Sequence, residues 1–300
     1  MGTDIINLIF LALPAMVPIT LTAVGEIFGE RAGMVNIGLE GIMLISAFTG
    51  VIGADFSGSP IVGLLAGLGT GAVIGLLHGV IGIYLKGDQI ISGVGINIFA
   101  LGFVAFGLIA VWKVAGYHQV PKDARVPALF HNTRFGDLSP MVIVTLVIAV
   151  AVYFILNRTV IGLRVKAVGE NPEAADVAGI KVERVRLMAT VFGAALAGLA
   201  GAYLSVDWIG SITRQLPAGR GFIALATVVF SRLNPLLAVA GGFIFGFFWA
   251  LGLWVQNLPD IIVPYQFVQM LPYVATLVVV AGVIGRARFP SAIAQPYRRE

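Results

Sequence analysis

The sequence predicts an all-α, polytopic membrane protein, and three observations carry that prediction. Hydrophobic residues make up 58% of the 300 residues and charged residues only 11%, and the mean hydropathy is +0.97. Apolar runs near the ~20 residues that a helix needs to cross a bilayer recur along the whole chain. Charge is gathered between the runs, so that the stretch 158–186 alone holds ten of the 34 charged residues (19 basic plus 15 acidic). A soluble domain does not combine these features. The net charge of +4 belongs to loops beside membrane spans, so no nucleic-acid partner is expected. The chain has no cysteine, which excludes disulfides, thiolate catalysis and cysteine-ligated metals. His78, His118 and His131 are dispersed and offer no metal-binding spacing.

Taken in order, the apolar runs give about nine membrane segments (eight to ten): 5–24, 37–54, 60–85, 90–113, 139–156, 187–206, 219–231, 235–257 and 267–285. The first run lacks the basic flank of a cleavable signal and has Asp4 in its place, so it is expected to stay as a span. If 158–186 is cytoplasmic, alternation puts 25–36, 86–89, 232–234 and the tail after 285 on the same side. Thirteen of the 19 basic residues then lie inside and six outside, namely Lys113, Lys122, Arg125, Arg134, Arg214 and Arg220. This bias predicts an external N-terminus, a cytoplasmic C-terminus and a long extracytoplasmic loop, 114–138. Residues 1–300 are expected to form a single transmembrane domain with a cytoplasmic loop at 158–186.

Two segments depart from ordinary spans. GEIFGERAGMVNIGLEG (25–41) sets Glu26, Glu30, Arg31, Asn36 and Glu40 beside the second span among five glycines. LPAGRGFIALATVVF (216–230) has an apolar part of about 13 residues, roughly 20 Å as a helix, against a hydrocarbon core of ~30 Å. Both are expected to be broken or re-entrant. They share Ala-Gly followed by Ile and Leu (Ala32, Gly33, Ile37, Leu39 and Ala218, Gly219, Ile223, Leu225) and enter from opposite sides. Paired Gly-interrupted segments of opposite direction point to an inverted repeat with a site between them.

Within 158–186, Asn171 is a helix N-cap, Pro172 takes the first helical position and Gly179 supplies the stop. The resulting helix, Pro172 to Ala178, is too short to persist alone and is expected to be held against a partner. The polar residues among the spans are Asn36 and Glu40, one helical turn apart, and Gln89 with Asn97 on the fourth span. A carboxylate such as Glu40 facing lipid would cost at least ~2.5 kcal/mol, so it is expected to face the bundle interior or a path. These groups suit hydrogen bonds to a solute and equally suit interhelical bonding. Phe222 is a candidate stacking surface. His78 reads as a packed interior histidine, Asp207 and Trp208 as an interfacial span end, and GLLAGLGTGAVIG (63–75) as a helix-packing face.

At this point the residues carry a resemblance. GERAGMVNIGLEGIMLISAF (29–48), GDQIISGVGIN (87–97), GLRVKAVGENPEAADVAGI (162–180) and AGRGFIALATVVFSRLNP (218–235) resemble the permease subunits of ABC importers of the ribose and branched-chain amino acid class. Within that class the chain is most similar to the shorter nucleoside-type permease. The resemblance implies a bacterial inner-membrane subunit that forms half of a translocation path. Its partners would be a second, different permease, ATPase subunits carrying ATP and Mg, and an extracytoplasmic binding protein or lipoprotein. The family's ATPase-coupling element maps onto Gly169, Glu170, Asn171, Pro172, Ala174, Ala175 and Gly179. Asn36, Glu40, Gln89, Asn97 and Phe222 are the candidate substrate path.

The chain contains no GxxxxGK[ST] phosphate cradle, so an ABC reading puts hydrolysis on another subunit and leaves no cofactor here. Simple sugars such as ribose, or branched-chain amino acids, are the alternative cargo. An ion-coupled carrier is the rival class and would need buried acids, of which Glu40 is the good candidate. A membrane-embedded enzyme would need a clustered catalytic set that the sequence lacks.

Overall fold

The computed structural model describes residues 2–127, 129, 138–256, 264, 267, 270–283 and 288–297. Among these residues eleven α-helices follow in order: α1 (Gly2–Arg31), α2 (Leu39–Ser57), α3 (Pro60–Gly79), α4 (Gln89–Trp112), α5 (Pro140–Arg158), α6 (Val160–Glu170), α7 (Pro172–Val177), α8 (Val182–Ala202), α9 (Arg220–Phe230), α10 (Pro235–Gln256) and α11 (Leu271–Val283). Wider π turns extend α3 to Tyr84 and α8 to Trp208. Among the described residues seven helical stretches, the short α9 not among them, are long and apolar enough to span a membrane. The predicted segment 219–231 is α9, whose 11 residues reach only about 16 Å. Residues 128 and 130–137 of the loop expected at 114–138 and part of the segment expected at 267–285 lie outside the described residues.

The packing is set by small residues. Lipid tails are as apolar as leucine, so helices in a membrane associate by close contact rather than by hiding from water. Along α3 every fourth residue, Gly63, Gly67, Gly71, Gly75 and Gly79, is a buried glycine. A Cβ on Gly67, Gly71 or Gly75 would strike Ala202, Gly198 or Ala194 of α8. α3 packs most extensively on α8, and α1 on α10 and α8. Large side chains fill what remains around α2, with Met16, Leu21, Ile42, Met43, Leu108 and Tyr203 all buried in one cluster.

The sixth span begins at Val182, five residues before the expected 187, and the largest boundary difference is in the first span. The first span does not end at 24. α1 continues through Gly25 and Gly29 to Arg31, and the break is confined to residues 32–38. Gly25 serves contact instead of a turn, since a Cβ there would lie 2.6 Å from the carbonyl oxygen of Gly193 on α8. Glu26 and Glu30 are therefore helical and buried, at 3% and 5% exposure. They are buried carboxylates, whereas Glu40 is half-buried.

At one end of the bundle a two-stranded antiparallel ribbon joins β1 (Tyr117–Gln119) to β2 (Ser211–Thr213), with His118 opposite Ile212. His118 meets the Asp55 carboxylate at 2.6 Å, Trp112 Nε1 donates to the same oxygen at 3.0 Å, and the two rings stack. This ties the ribbon to the ends of α2 and α4. The helices α6 and α7 lie at the other end.

Gly71 and Gly69 separate contact from composition. Gly71→Val is expected to force α3 off α8, at about 1–3 kcal/mol for overpacking. Gly69→Val meets nothing within 4 Å and is expected to be tolerated. Thermal unfolding of the purified variants checks this, with a melting point lowered by several degrees for the first and unchanged for the second.

Candidate functional site

The break at 32–38 must satisfy its backbone groups without water, and side chains from three helices do so. Glu26 accepts the Asn36 N–H at 2.8 Å, Asn36 Oδ1 accepts the Gly38 N–H at 2.9 Å, and Gln89 Oε1 accepts the Val35 N–H at 2.8 Å. His78 Nε2 lies 3.1 Å from the Val35 carbonyl and its Nδ1 lies 3.0 Å from the Ser92 hydroxyl. A carbonyl only accepts, so Nε2 carries the hydrogen and Nδ1 of the neutral ring accepts from Ser92. His78 is fully buried, the interior histidine that the sequence suggested. Asn97 closes the set by donating to the Ile37 carbonyl at 3.0 Å and accepting the Gly41 N–H at 2.7 Å.

Glu40 stands in the first turn of α2 and reaches across to the start of α9. Its Oε1 accepts the Gly219 N–H and its Oε2 the Gly221 N–H, both at 2.7 Å. Two orphan donors of a helix N-terminus are thus satisfied by one carboxylate from another helix. Gly219 takes φ +83, the left-handed conformation that glycine adopts without penalty, and it lets the chain turn into α9. Gly221 has to be small, because a Cβ there would sit 2.5 Å from the Glu40 nitrogen. The Tyr273 hydroxyl donates to the Ala218 carbonyl at 2.7 Å, and Arg220 lies over the Trp208 ring at 5.1 Å.

Beside this junction a cavity of about 380 Å3 is lined by Glu40, Asn97, Ile98, Leu101, Gln215 and Phe222, with Gly41, Leu44 and Pro217–Gly219 completing the wall. Phe222 is 49% exposed. Of the five predicted path residues, Glu40, Asn97 and Phe222 line the cavity together. Asn36 and Gln89 do not. Both are buried, and their side-chain oxygens accept backbone N–H groups at the 32–38 break, while the Asn36 Nδ2 amide is buried without a hydrogen-bond partner among the described residues.

The capped short helix forms as its residues require. Asn171 Oδ1 accepts the Ala174 N–H at 2.9 Å, and Pro172 occupies the first turn. At the other end the Gly179 N–H reaches the Asp176 carbonyl and the Ile180 N–H the Ala175 carbonyl, a Schellman closure with Gly179 at φ +83. Ala174, Val177, Ala178 and Gly179 are exposed, Val177 at 91%. Ala175, by contrast, is buried against Val168, Val182 and Tyr297, so it is part of the packing beneath the helix and not of an outward surface. Gly169 is buried too, pressed against the Arg31 carbonyl. Val177 was not singled out from the sequence; a lone valine at the end of a polar helix was the available signal.

The C-terminal tail straps this element down. The Ala292 N–H donates to the Gly169 carbonyl and the Ala294 N–H to the Gly33 carbonyl, both at 3.0 Å. The Ser291 hydroxyl donates to Glu170, and the Tyr297 hydroxyl to Asp176 at 2.9 Å. Arg186, 2% exposed, reaches the Gln295 carbonyl from α8 at 2.8 Å.

Residues 8–287 match the family described as branched-chain amino acid transport system / permease component. The chain is 35% identical to the guanosine ABC transporter permease protein NupQ of Bacillus subtilis, over 98% of both chains. It is 35% identical to the nucleoside ABC transporter permease protein NupC of Lactococcus lactis, over 92% of this chain and 91% of that one. A second guanosine permease protein of Bacillus subtilis, NupP, is 31% identical over 62% of this chain and 56% of its own length.

The junction makes a direct prediction. Glu40→Gln turns an NH2 toward one of the two α9 amides and leaves a donor unpaired, at about 1–3 kcal/mol, while Glu40→Ala leaves both. Melting of the purified chain is expected to fall by a few degrees for the first and by more for the second.

Proposed function

The chain belongs to the permease-component family of the branched-chain amino acid transport system, and on that premise we propose that it forms half of an ATP-driven import path for nucleosides. The observation that carries this reading is the near full-length similarity to permeases named for guanosine and nucleosides. The cavity suits it in kind. It is within the ~300–1,000 Å3 of small-molecule sites and is mostly apolar, with a few polar groups at its edge. Asn97 and Gln215 offer amide groups to a base or sugar, Phe222 offers a face to stack on, and Glu40 fixes the wall. Weak binding is sufficient, because a path must release what it admits. Simple sugars are the second reading for the same cavity.

The partner of this half-path is a second and different permease, a reading supported by the similarity of the chain to two distinct guanosine permease proteins of one bacterium. The orientation has the N-terminus outside and α6–α7 in the cytoplasm, supported by the basic bias of the loops. An inverted repeat is supported by the two Ala-Gly pairs. Gly33, in the break between α1 and α2, and Gly219, immediately before α9, both adopt the left-handed conformation. Energy enters through α7, which presents Ala174, Val177 and Ala178 to a groove on the ATPase, with Asn171, Pro172 and Gly179 giving it shape. Glu170 and Gly169 join it to the tail and to α1.

Two measurements test this. Uptake of labelled guanosine into cells that express the whole system should be competed by unlabelled nucleosides and not by ribose or leucine; competition by ribose alone would move the cargo to sugars. Val177→Arg should abolish co-purification of the ATPase and reduce uptake at least ~10-fold while the chain still inserts. Normal uptake by that variant would rule out docking through α7.

A further inference from the structure

α6 leaves α5 through a tight corner. Thr159 Oγ1 donates to the Ile155 carbonyl at 2.7 Å and accepts the Gly162 N–H at 3.3 Å, so one side chain ends α5 and starts α6. The corner needs glycine at 162, where a Cβ would collide with the Ile155 and Leu156 carbonyls. Gly162, Val165, Val168 and Gly169 form the buried stripe that packs α6 on the protein. The opposite arc holds Val160, Leu163 and Arg164 at i, i+3 and i+4, with Ile161 beside them. Val160, Ile161 and Leu163 are 60–68% exposed, which is costly on any surface that water wets.

The surface next to this arc is already apolar. Val147, Val150 and Phe154 of α5 are exposed on a helix long and apolar enough to span the bilayer. The apolar strip therefore runs down α5 and around the corner onto α6. In sequence Arg158 precedes and Arg164 follows its α6 part, and both are exposed. Among the described residues neither guanidinium meets a carboxylate or a hydrogen-bond acceptor. Lys166 is close by, donating to Asn157 at 2.8 Å, and the neighbouring Glu170 is engaged by Ser291. Three cations thus border an apolar arc with no free acid between them.

We propose that the last turn of α5 and the first turn of α6 are a docking site for the headgroup of an anionic phospholipid. Val160, Ile161 and Leu163 enter the boundary between headgroups and acyl chains, and Arg158 and Arg164 hold the phosphate from both sides. Arginine suits this task because its planar fork binds two phosphate oxygens at once. The site goes beyond the transport reading and does not depend on which solute is carried. Through Asn171, α6 is continuous with α7, so a bound lipid would fix the base of that element.

The chain has no cysteine, so Leu163→Cys gives a unique thiol for an environment-sensitive fluorophore. The labelled chain, purified with whatever subunits accompany it, is placed in nanodiscs doped with brominated phosphatidylglycerol or brominated phosphatidylcholine. Quenching by the glycerol lipid at low mole fraction, and far less by the choline lipid, is the expected result. Each cation near an anionic surface is worth about fivefold in binding, so Arg158→Gln with Arg164→Gln should shift the phosphatidylglycerol titration about 30-fold. Equal quenching by the two lipids, or an unshifted titration in the double variant, overturns the proposal. So does an absence of quenching, which would mean that protein covers this face. Loss of a co-purifying ATPase with lipid selectivity intact would assign the arginines to that subunit instead and overturn it as well.

Discussion

A carboxylate set among apolar helices must be met by donors, and Glu40 is met by the two amides that open α9. That contact answers two demands at once. It satisfies an acidic side chain in the first turn of α2, and it caps a helix that starts without a side-chain cap of its own. The positive ends of two helix dipoles converge here, so one negative charge between them is favourable where a neutral residue would not be. The chain can break at 32–38 and again before Arg220 only because each break is supplied with partners from elsewhere. Glu26, His78, Gln89 and Asn97 serve the first, and Glu40 with Tyr273 the second.

The same economy shapes the cavity. Its polar edge is not a separate set of groups reserved for a solute. Asn97 and Glu40 already hold backbone across two helix starts while they line the space. Both Glu40 oxygens are occupied, so a solute at the wall meets a fixed carboxylate with lone pairs to spare and not a mobile one. Around this junction the α3–α8 contact supplies stiffness. Glycines at every fourth position bring the two backbones together and leave little room for sliding.

The class of protein, the short α9, the capped α7 and the packing face of α3 were all legible in the sequence. Each follows from a local pattern: an apolar run, a cap at fixed spacing, or a small residue every four. What was not legible depends on contacts across the chain. The sequence leaves Gln89 open between solute and interhelical bonding, because nothing local says that a backbone segment more than 50 residues away needs it. The burial of Ala175 is not legible because a residue that covers it, Tyr297, lies in a tail without periodicity. Gly25 and Gly29 read as breakers by residue type, yet they repeat at the same spacing as the α3 glycines, the signal that extends α1 to Arg31.

The tail changes what a displacement of α7 must do. Through Ala292 and Ala294 it joins the Gly169 carbonyl to the Gly33 carbonyl, and Arg186 fastens it to α8. Gly169 also presses on the end of α1. The end of α6, the tail, the start of α8 and the break at 32–38 therefore share one set of hydrogen bonds. From Gly33 the path continues to Asn36, held by Glu26, and then to Gly38 and Glu40 in the first turn of α2. On the proposed reading, a push on α7 must either break several of these bonds together or carry the start of α2 with it. Breaking them costs more than moving them as a body, because buried donors and acceptors would be left unpaired. A stiff link of this kind is what a rigid lever requires, and Glu40 is the point at which it meets α9 and the wall of the cavity.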